Sequence, residues 1–421
     1  MNVLVLSHMF PSAANRTKGI FVLEQIRALE KLGVCCTVVA PMPWVPRILT
    51  RTVLARRYPN VPRRARQGNI EIEYVRMLAF PRAALFALSG FFYYLACRAS
   101  VRRLVREKKI ELIHAHTILP DGFAALLLSR ELRLPLVCTL HGSDVKLYPK
   151  RSRATAAVTS WALRHVSGLV AVSENVGEAA QALNAAHPPA IIRNGANAEH
   201  FHPRPRAMAR TLLSLPAQGR ILLFVGNLIP LKGAELLLRA AADGACDALL
   251  ALVGDGPCRT ELEATARRLG VCALFAGARP HEEIPLWLNS ADCLVLPSFS
   301  EGLPTILAEA MLCRTPVIAT AVGGTPEIVR NGETGLMVPP SNVTALAAAI
   351  QSSLTMNSAQ REAMLDRAEQ FAQRSLTWNV NARKMLALYK AIIGQNVSAT
   401  AASGKTACLP GTRTRRAGLT P

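Results

Sequence analysis

Short apolar runs alternate with longer segments of helical periodicity along the first half of the chain. Buried strands are predicted at residues 3–6, 37–40, 112–113, 136–140, 168–172 and 190–192. The helical pattern over 20–32 ends at Gly33. Nearly continuous apolar strands that alternate with helices are typical of a parallel sheet covered by helices on both faces. We therefore predict a doubly wound α/β domain over residues 1–203.

A second series of the same kind follows a segment rich in proline, arginine and small residues. Its strands are predicted at residues 221–225, 249–253, 274–275, 293–296 and 317–318. We predict a linker at 204–218, a second domain at 219–375, a long helix at 376–394 and a disordered basic tail at 395–421. Two domains joined by a linker imply a cleft between them, which is a common ligand site.

Two glutamates, Glu301 and Glu309, stand eight positions apart around a Gly-Leu-Pro turn. The pattern places Glu301 at the carboxyl end of the strand 293–296 and Glu309 about two turns along a following helix. Open α/β sheets bind their ligands at this edge. A carboxylate there can accept hydrogen bonds from the vicinal hydroxyls of a sugar or a ribose. The alternative is that Glu301 caps the helix and Glu309 is a solvated charge.

Glycine-bearing turns follow three strands of the second domain, at Gly226, Gly254 and Gly323-Gly324. Such turns expose backbone N–H groups at the start of a helix and can bind anions. Lys232 follows the first turn and adds an ammonium suited to a phosphate. Each turn alone is more often an ordinary loop. Together with the two glutamates, they indicate a nucleotide diphosphate.

Polar residues also follow two strands of the first domain. His116 comes after the strand at 112–113, and His141 and Asp144 come after the strand that ends at Leu140. We predict that His116 and Asp144 contact an acceptor substrate. The sequence has no third metal ligand at suitable spacing and no Asp-x-Asp, so we expect no metal and no other cofactor. Lys232 and backbone N–H groups would then stabilise the charge of a leaving phosphate.

The net charge of +21 is concentrated in the first domain, where residues 1–120 carry 19 Lys+Arg against 6 Asp+Glu. Basic clusters at 47–66 and 98–109 flank an apolar aromatic segment at 83–97. This segment is shorter than the roughly 20 residues that span a bilayer. Its composition is typical of an element held on anionic lipid, and a core helix with a solvated basic end is the alternative.

We predict that residues 47–109 contact an anionic membrane surface. No nucleic-acid motif accompanies the charge, so nucleic acid is not an expected partner. The first residues read as a strand and not as a secretory signal, and the ten cysteines form no Cys-x-x-Cys pair. We therefore expect a cytoplasmic protein that is peripheral on the inner face of the membrane.

Taken in order, these motifs resemble the family 4 glycosyltransferases over about residues 1–393. The pieces that carry the resemblance are Glu301 to Glu309, Val225-Gly226 with Lys232-Gly233, Val253 to Pro257, Asn194-Gly195, Gly323 to Glu327, and Trp378 with Tyr389. The resemblance implies a GT-B fold, with two Rossmann-like domains facing a cleft and a C-terminal helix that crosses back to the first. It also implies sugar transfer with retention and without a metal.

The resemblance assigns roles to particular residues. Lys232 would bind the diphosphate and Glu309 the ribose, and Glu301 would bind the donor sugar with the backbone of Gly302 and Leu303. His141 would lie near the reacting sugar, and with Lys232 and Glu301 it forms the predicted catalytic set. The other predicted donor contacts are Gly19, Gly226, Asn227, Gly254 and Arg279.

Asn227 stands where many members have an arginine, which removes a charge and a planar fork of donors. The version found here resembles a branch near the transferases of teichuronic acid synthesis. We expect transfer from a nucleotide-diphosphate sugar, with UDP favoured, to a lipid-linked or saccharide acceptor in bacterial envelope polysaccharide or glycolipid synthesis. A nucleotide-sugar 2-epimerase on the same fold and a non-catalytic basic binding protein are the alternatives.

Overall fold

A computed structural model describes residues 1–15, 18–44, 61–78, 80, 85–243 and 247–404. The chain forms two parallel-sheet α/β domains, as the apolar pattern predicts. The first sheet is ordered β3-β4-β2-β1-β5-β6-β7-β8, and only β3 is antiparallel to its neighbour. Its strands are β1 (Asn2–Leu6), β2 (Cys35–Trp44), β3 (Arg64–Gln67), β4 (Ile70–Leu78), β5 (Leu112–His116), β6 (Leu136–Leu140), β7 (Gly168–Ala171) and β8 (Ala190–Ile191).

The second sheet is parallel throughout, in the order β11-β10-β9-β12-β13-β14. Its strands are β9 (Arg220–Val225), β10 (Ala248–Val253), β11 (Ala273–Gly277), β12 (Cys293–Leu296), β13 (Val317–Thr320) and β14 (Leu336–Val338). In both sheets the chain reverses its direction of winding beside the first strand of the domain. The carboxyl ends of the strands on either side of that point form the usual binding edge of such sheets.

Helices cover both faces of each sheet. In the first domain they are α1 (Ile20–Glu30), α2 (Ser89–Lys108), α3 (Phe123–Leu132), α4 (Ser143–Lys146), α5 (Arg153–His165) and α6 (Glu174–Ala182). The later helices are α7 (Arg206–Leu212), α8 (Ala234–Asp243), α9 (Arg259–Leu269), α10 (Ile284–Ser290), α11 (Thr305–Leu312), α12 (Val343–Thr355), α13 (Ser358–Ser375) and α14 (Trp378–Gly404).

Three of the strands, β3, β4 and β14, are not predicted by the apolar pattern. In β4, Ile70, Ile72 and Tyr74 are buried while Glu71 and Glu73 face outward, so the run is interrupted by charges. β3 is a short edge strand of mostly polar residues, and β14 has only three residues. The fifth strand runs on through His114 to His116, beyond its predicted end at 113. Both ring nitrogens of His114 have hydroxyl partners, from Thr139 and Tyr389, which allows this imidazole to lie within a buried strand.

The predicted linker at 204–218 contains the helix α7. Arg210 on this helix is buried, and its guanidinium donates to the backbone oxygens of Ser290 (3.0 Å) and Gly219 (2.9 Å). It also pairs with Asp292 at 3.2 Å. A buried guanidinium with this many acceptors fixes the segment to the second domain.

The long helix α14 returns to the first domain, as the resemblance implies. At its start, the Trp378 N–H donates to Ala196 O at 3.1 Å. Farther along, the buried Tyr389 hydroxyl meets Nδ1 of His114 on β5 at 2.7 Å. The helix continues to Gly404, past the predicted boundary at 395, since alanine favours helix even in a sequence of low hydrophobicity. Residues 405–421 of the predicted tail lie outside the described residues.

The aromatic segment of the first domain has one buried side and one exposed side. Tyr93 on α2 is fully buried and donates to Val39 O at 2.6 Å, whereas Phe91 and Leu95 are exposed. Within the described part of the chain, no helix is both long and apolar enough to cross a membrane. Arg47, Arg51 and the rest of the basic run up to residue 60 lie outside that part.

Gly195 provides a test of how α14 is held. A Cβ on Gly195 would lie 2.3 Å from the backbone nitrogen of Trp378, where α14 begins. We expect Gly195→Ala to lower the free energy of unfolding by about 1–3 kcal/mol, because backbone atoms cannot swing aside. Gly394→Ala in the same helix has open space around the new Cβ and serves as the matched control, with stability unchanged or raised by up to about 1 kcal/mol. Urea unfolding measures both, and equal effects would contradict the contact.

Candidate donor-binding cleft

A cleft of about 630 Å³ lies between the two domains, at the carboxyl ends of both sheets. Ten of the predicted site residues line it: His141, Gly226, Asn227, Lys232, Gly254, Arg279, Glu301, Gly302, Leu303 and Glu309. Gly19, His116 and Asp144 do not. The cleft therefore brings together the predicted donor residues of the second domain and one histidine of the first.

The two domains approach most closely at a pair of glycines. A Cβ on Gly302 would lie 2.0 Å from the carbonyl oxygen of His141, and a Cβ on Gly142 would lie 2.9 Å from the Cα of Gly302. Gly142 also has φ 110°, which L side chains rarely adopt. Because no side chain fits at this contact, the neighbouring residues His141 and Glu301 face the same part of the cleft from opposite domains.

Glu301 and Lys232 form an ion pair in the cleft wall. Lys232 Nζ donates to Oε1 of Glu301 at 2.6 Å, and the Ser298 hydroxyl donates to the same oxygen at 2.6 Å. Lys232 ends a tight turn that is anchored to the glutamate loop, since the Phe299 N–H donates to Leu231 O at 2.8 Å. The second carboxylate oxygen of Glu301 has no protein partner among the described residues. The pair thus places an ammonium and a free carboxylate oxygen side by side.

Glu309 lies deeper along α11, with little exposed surface. Its Oε1 is 3.0 Å from Nε2 of His281, which follows β11 at the neighbouring edge of the cleft. Burial alone would lower the pKa of His281, but Glu309, by charge and hydrogen bond, together with Glu24 and Glu282, raises it. The imidazole therefore holds one oxygen of Glu309 and leaves the other available to a ligand.

Backbone packing explains the glycine turns after β9 and β10. A Cβ on Gly254, which has φ 137°, would lie 1.9 Å from Gly226 O. The Gly226 N–H donates to Val253 O at 2.9 Å. Asn227 is exposed, and Arg279 donates to Ala276 O at 3.0 Å at the far end of the same wall. Within the cleft lining, Lys232 is the cation that adjoins Glu301, with Arg279 and Lys146 at other positions.

The turn at Gly323-Gly324 packs against the loop that carries Glu301 and does not line the cleft. A Cβ on Gly323 would lie 1.9 Å from Glu301 O, and the Gly324 N–H donates to Gly302 O at 3.1 Å. Its sequence pattern predicts a phosphate nest, yet the Gly324 N–H is turned toward the glutamate loop. The two glycines are needed because backbone packs directly on backbone there.

In the first domain, the ring of His141 packs between those of Phe21 and His116. His141 faces the cleft, its ring packs against Phe21 (4.6 Å between centroids), and its Nε2 is 3.1 Å from Nδ1 of His116. Desolvation lowers the pKa of His141 to about 3, so the ring is neutral at physiological pH. A neutral imidazole can donate or accept one hydrogen bond, and it carries no positive charge to a phosphate.

His116 and Asp144, the predicted acceptor contacts, lie beneath the cleft wall. Both are buried. The Asp144 carboxylate accepts from the N–H groups of His141 (3.1 Å), Gly142 (2.9 Å) and Ile118 (3.1 Å). A carboxylate without exposed surface cannot touch a ligand in the cleft, so its geometry instead fixes the loop that carries His141.

Gly19 also lies outside the lining, although the next residues, Ile20 and Phe21, belong to it. Its φ is 65°, and a Cβ there would lie 1.9 Å from Met9 O. Glycine is therefore required by the packing of the first loop on itself. Its predicted close approach to a phosphate stays a prediction.

Known proteins of one family are similar to this chain over most of its length. Residues 19–200 match the family described as Glycosyltransferase Family 4, and residues 205–371 match Glycosyl transferases group 1. The Bacillus subtilis (strain 168) protein TuaC, named as a teichuronic acid biosynthesis glycosyltransferase, is 30% identical over 83% of this chain and 88% of its own length. The chain belongs to the family 4 glycosyltransferases.

Solved structures confirm the predicted GT-B fold of this glycosyltransferase. Sucrose-phosphate synthase from Thermosynechococcus elongatus aligns with a TM-score of 0.78 at 25% identity, over 94% of this chain and 100% of its own. Anabaena HepE, solved in complex with UDP and glucose, aligns with a TM-score of 0.71 at 21% identity, over 93% of this chain and 100% of its own.

Sequence reasoning about the glycosyltransferase missed Ser298, His281 and Lys146. Ser298 stands three residues before Glu301, and that short spacing could have suggested a contact. His281 lies 28 residues before Glu309, and no local pattern connects them. Lys146 reaches the cleft from the short helix α4, where the amide oxygen of Asn175 holds its ammonium. Among the described residues, no cluster of three or more histidine, cysteine or acidic side chains is arranged to hold a metal.

His281 is expected to act through Glu309. We predict that His281→Ala raises the donor KM about fivefold with little change in kcat, as the loss of about 1 kcal/mol of hydrogen bonding implies. His281→Gln keeps an N–H donor and should recover most of the affinity. The exposed His187→Ala is the control. A fall in kcat with unchanged KM in His281→Ala would contradict a positioning role.

Buried histidines of the first domain make stability depend on pH, and His141 contributes in the same sense as His114 and His116. Burial lowers the pKa of His114 to about 3 and that of His116 well below its usual value. Below pH 6.5 the unfolded chain binds protons that these folded residues do not, so each lowers the free energy of unfolding by about 1.4 kcal/mol at pH 5.5 relative to neutral pH.

Urea unfolding at pH 7.5, 6.5 and 5.5 measures this effect. The raised pKa of His281 acts in the opposite sense, so the fall in the wild type is a difference of these contributions. His114→Gln should flatten the decrease by about 1.4 kcal/mol, whatever its effect at neutral pH. An identical pH dependence in the variant and the wild type would show that His114 titrates normally in the folded protein.

Proposed function

We propose that this glycosyltransferase moves a hexosyl group, with retention, from a UDP-sugar to an acceptor in the synthesis of an envelope polysaccharide. The observation that carries the proposal is the arrangement of Lys232, Glu301 and Glu309 along one wall of the cleft. Teichuronic acid biosynthesis in the name of the Bacillus relative and UDP in the Anabaena structure support the polymer class and the nucleotide.

The donor would lie along the wall of the second domain. Its diphosphate would take the ammonium of Lys232, and the exocyclic hydroxyls of the sugar would bind the free oxygen of Glu301. Glu309, held by His281 at 3.0 Å, would accept from the ribose hydroxyls at the deeper end. In this pose the diphosphate lies between the sugar and the ribose, as it does in the covalent structure of a nucleotide sugar.

In this mechanism the acceptor hydroxyl attacks the anomeric carbon on the face from which the diphosphate leaves. The bond from the anomeric carbon to the phosphate oxygen breaks, and that oxygen takes the proton of the acceptor hydroxyl. Lys232 stabilises the charge that develops on the phosphate. His141, neutral at physiological pH, contributes a hydrogen bond to the reacting sugar and leaves the proton transfer to the phosphate.

The acceptor would enter from the first domain. Its cleft residues include Phe21, His141, Lys146 and Leu147, which combine apolar surface with one ammonium. This side of the cleft suits a sugar that stacks on an apolar face and carries an anionic group near Lys146. We propose that transfer needs no metal, since Lys232 and the backbone N–H groups of the cleft supply the positive charge.

The proposal is tested by the release of nucleoside diphosphate from a panel of UDP-, GDP- and dTDP-sugars. We expect release from a UDP-hexose. Glu301→Gln should lower kcat/KM about 10–100-fold, because it removes charge-assisted hydrogen bonds. Lys232→Met should lower it about 100–1,000-fold, because it removes charge stabilisation in the transition state. Glu235→Gln, on the exposed face of α8 near the same turn, is the matched control.

Product analysis separates the alternatives. A new glycoside whose anomeric configuration equals that of the donor supports retention, and an inverted product contradicts it. Consumption of the donor into its epimer, without acceptor, would replace the proposal by an epimerase. Release that is unchanged in both Glu301→Gln and Lys232→Met would contradict the roles proposed for this wall.

A further inference from the structure

Large apolar side chains are exposed on the first domain beside the mouth of the cleft. Leu88, Phe91 and Leu95 are spaced by three and four residues at and along α2, with exposed fractions of 46%, 43% and 54%. This spacing places them on one side of the helix. Leu147, which follows α4, is also exposed at 37%.

These side chains belong to one continuous surface. The ring of Phe86, just before α2, lies 4.9 Å from that of Tyr148. The Arg151 guanidinium lies over both rings, 4.5 Å from Phe86 and 4.8 Å from Tyr148. Leu147, the neighbour of Tyr148, lines the cleft. The apolar side of α2 therefore reaches the cleft through this aromatic contact.

The cations of this surface have no acidic partners among the described residues, whereas most of the cations on α2 are paired. Arg98 and Arg102 share Glu131, and Arg103 pairs with Glu73. Lys150 and Arg151 are exposed and have no acidic partner among the described residues. The basic cluster that the sequence places at 98–109 is thus largely neutralised by folding, and available positive charge remains beside the cleft.

We propose that a rim formed by Leu88, Phe91, Leu95, Leu147, Lys150 and Arg151 lies in the headgroup region of an anionic lipid bilayer. The leucines and Phe91 would enter the apolar boundary, while the two cations bind anionic headgroups. The mouth of the cleft would then open at the membrane surface. The inference rests on the proposed function only in that a membrane would carry the acceptor.

Anionic lipid fits this rim better than a protein partner does. The rim combines four apolar side chains with two cations and itself contains no carboxylate, so it offers nothing to the basic residues of a partner. The aromatic and guanidinium groups meet at the junction of apolar and charged positions, which is where amphipathic side chains lie in a bilayer interface. The sequence predicts the membrane contact at 47–109, and the proposed rim lies at 88–95 and 147–151.

Flotation of the full-length chain with vesicles tests the rim. We expect binding to phosphatidylcholine vesicles that contain phosphatidylglycerol, weaker binding to phosphatidylcholine alone, and release by salt. Leu88→Ser with Phe91→Ser should lower the partition coefficient at least about tenfold, given the apolar area withdrawn from the bilayer. Lys150→Glu should lower binding only to the anionic vesicles. Leu212→Ser, at a residue 62% exposed on α7 of the second domain, is the matched control.

Release of nucleoside diphosphate without acceptor is measured on the same preparations, and it should be unchanged in the rim variants. Loss of vesicle binding with intact release supports the rim. Vesicle binding that is equal in wild type and rim variants, or absent in the wild type, overturns it. Vesicle binding that depends on the rim in a chain that releases no nucleotide would retain the membrane contact and reject the proposed function.

Discussion

The contact between Gly142 and Gly302 determines the geometry of the whole cleft. Each glycine belongs to a loop at the carboxyl end of a strand, and the two backbones are too close for any Cβ. The Ser173 hydroxyl adds a hydrogen bond across the domains, donating to Gly302 O at 3.1 Å. Because Gly302 carries no side chain, the residues on either side of this contact, His141 and Glu301, are brought to one point. A side chain at either glycine would push the domains apart and separate His141 from Glu301.

A second set of contacts, around Glu327, helps to fix the position of one domain relative to the other. Arg193 of the first domain pairs with Glu327 of the second at 2.8 Å, and the Asn175 N–H donates to the other oxygen of Glu327 at 3.2 Å. Glu327 lies in the turn after Gly324, which itself packs behind the glutamate loop. The ion pair and the glycines therefore join the two domains beside the loop that carries Glu301.

Lys232 and Glu301 neutralise each other in the cleft wall. A ligand that binds here must offer both an anion for the ammonium and hydroxyls for the carboxylate, or else it leaves one charge without a partner. Under the proposed function, this requirement would favour nucleotide sugars over free nucleotides and free sugars. Asn227 stands where many family members have an arginine, so Lys232 is the one cation that the described β9 turn would supply to a diphosphate, and its loss would have no local substitute.

Much of the fold could be read from the sequence because apolar strands are buried on both faces and their runs are continuous. The residues of the cleft wall in the second domain could be grouped from the sequence because they follow strand ends, and the strand ends of a parallel sheet share an edge. Pairings between distant segments could not be predicted from the sequence. His281 with Glu309, and Glu131 with the arginines of α2, connect residues with no common local pattern. Asp144 was misjudged because a strand-end carboxylate has the same sequence signature whether it faces a ligand or caps its own loop.

The central claim is that Lys232, Glu301 and Glu309 hold a nucleotide sugar between the domains. A crystal structure with a bound UDP-sugar tests it most directly. We predict that the 2.6 Å bond between Lys232 Nζ and Glu301 Oε1 opens, with the ammonium on a phosphate oxygen, Glu301 on the sugar and Glu309 on the ribose. A nucleotide sugar bound elsewhere, or bound in the cleft with the Lys232–Glu301 pair intact and Glu309 untouched, would contradict it.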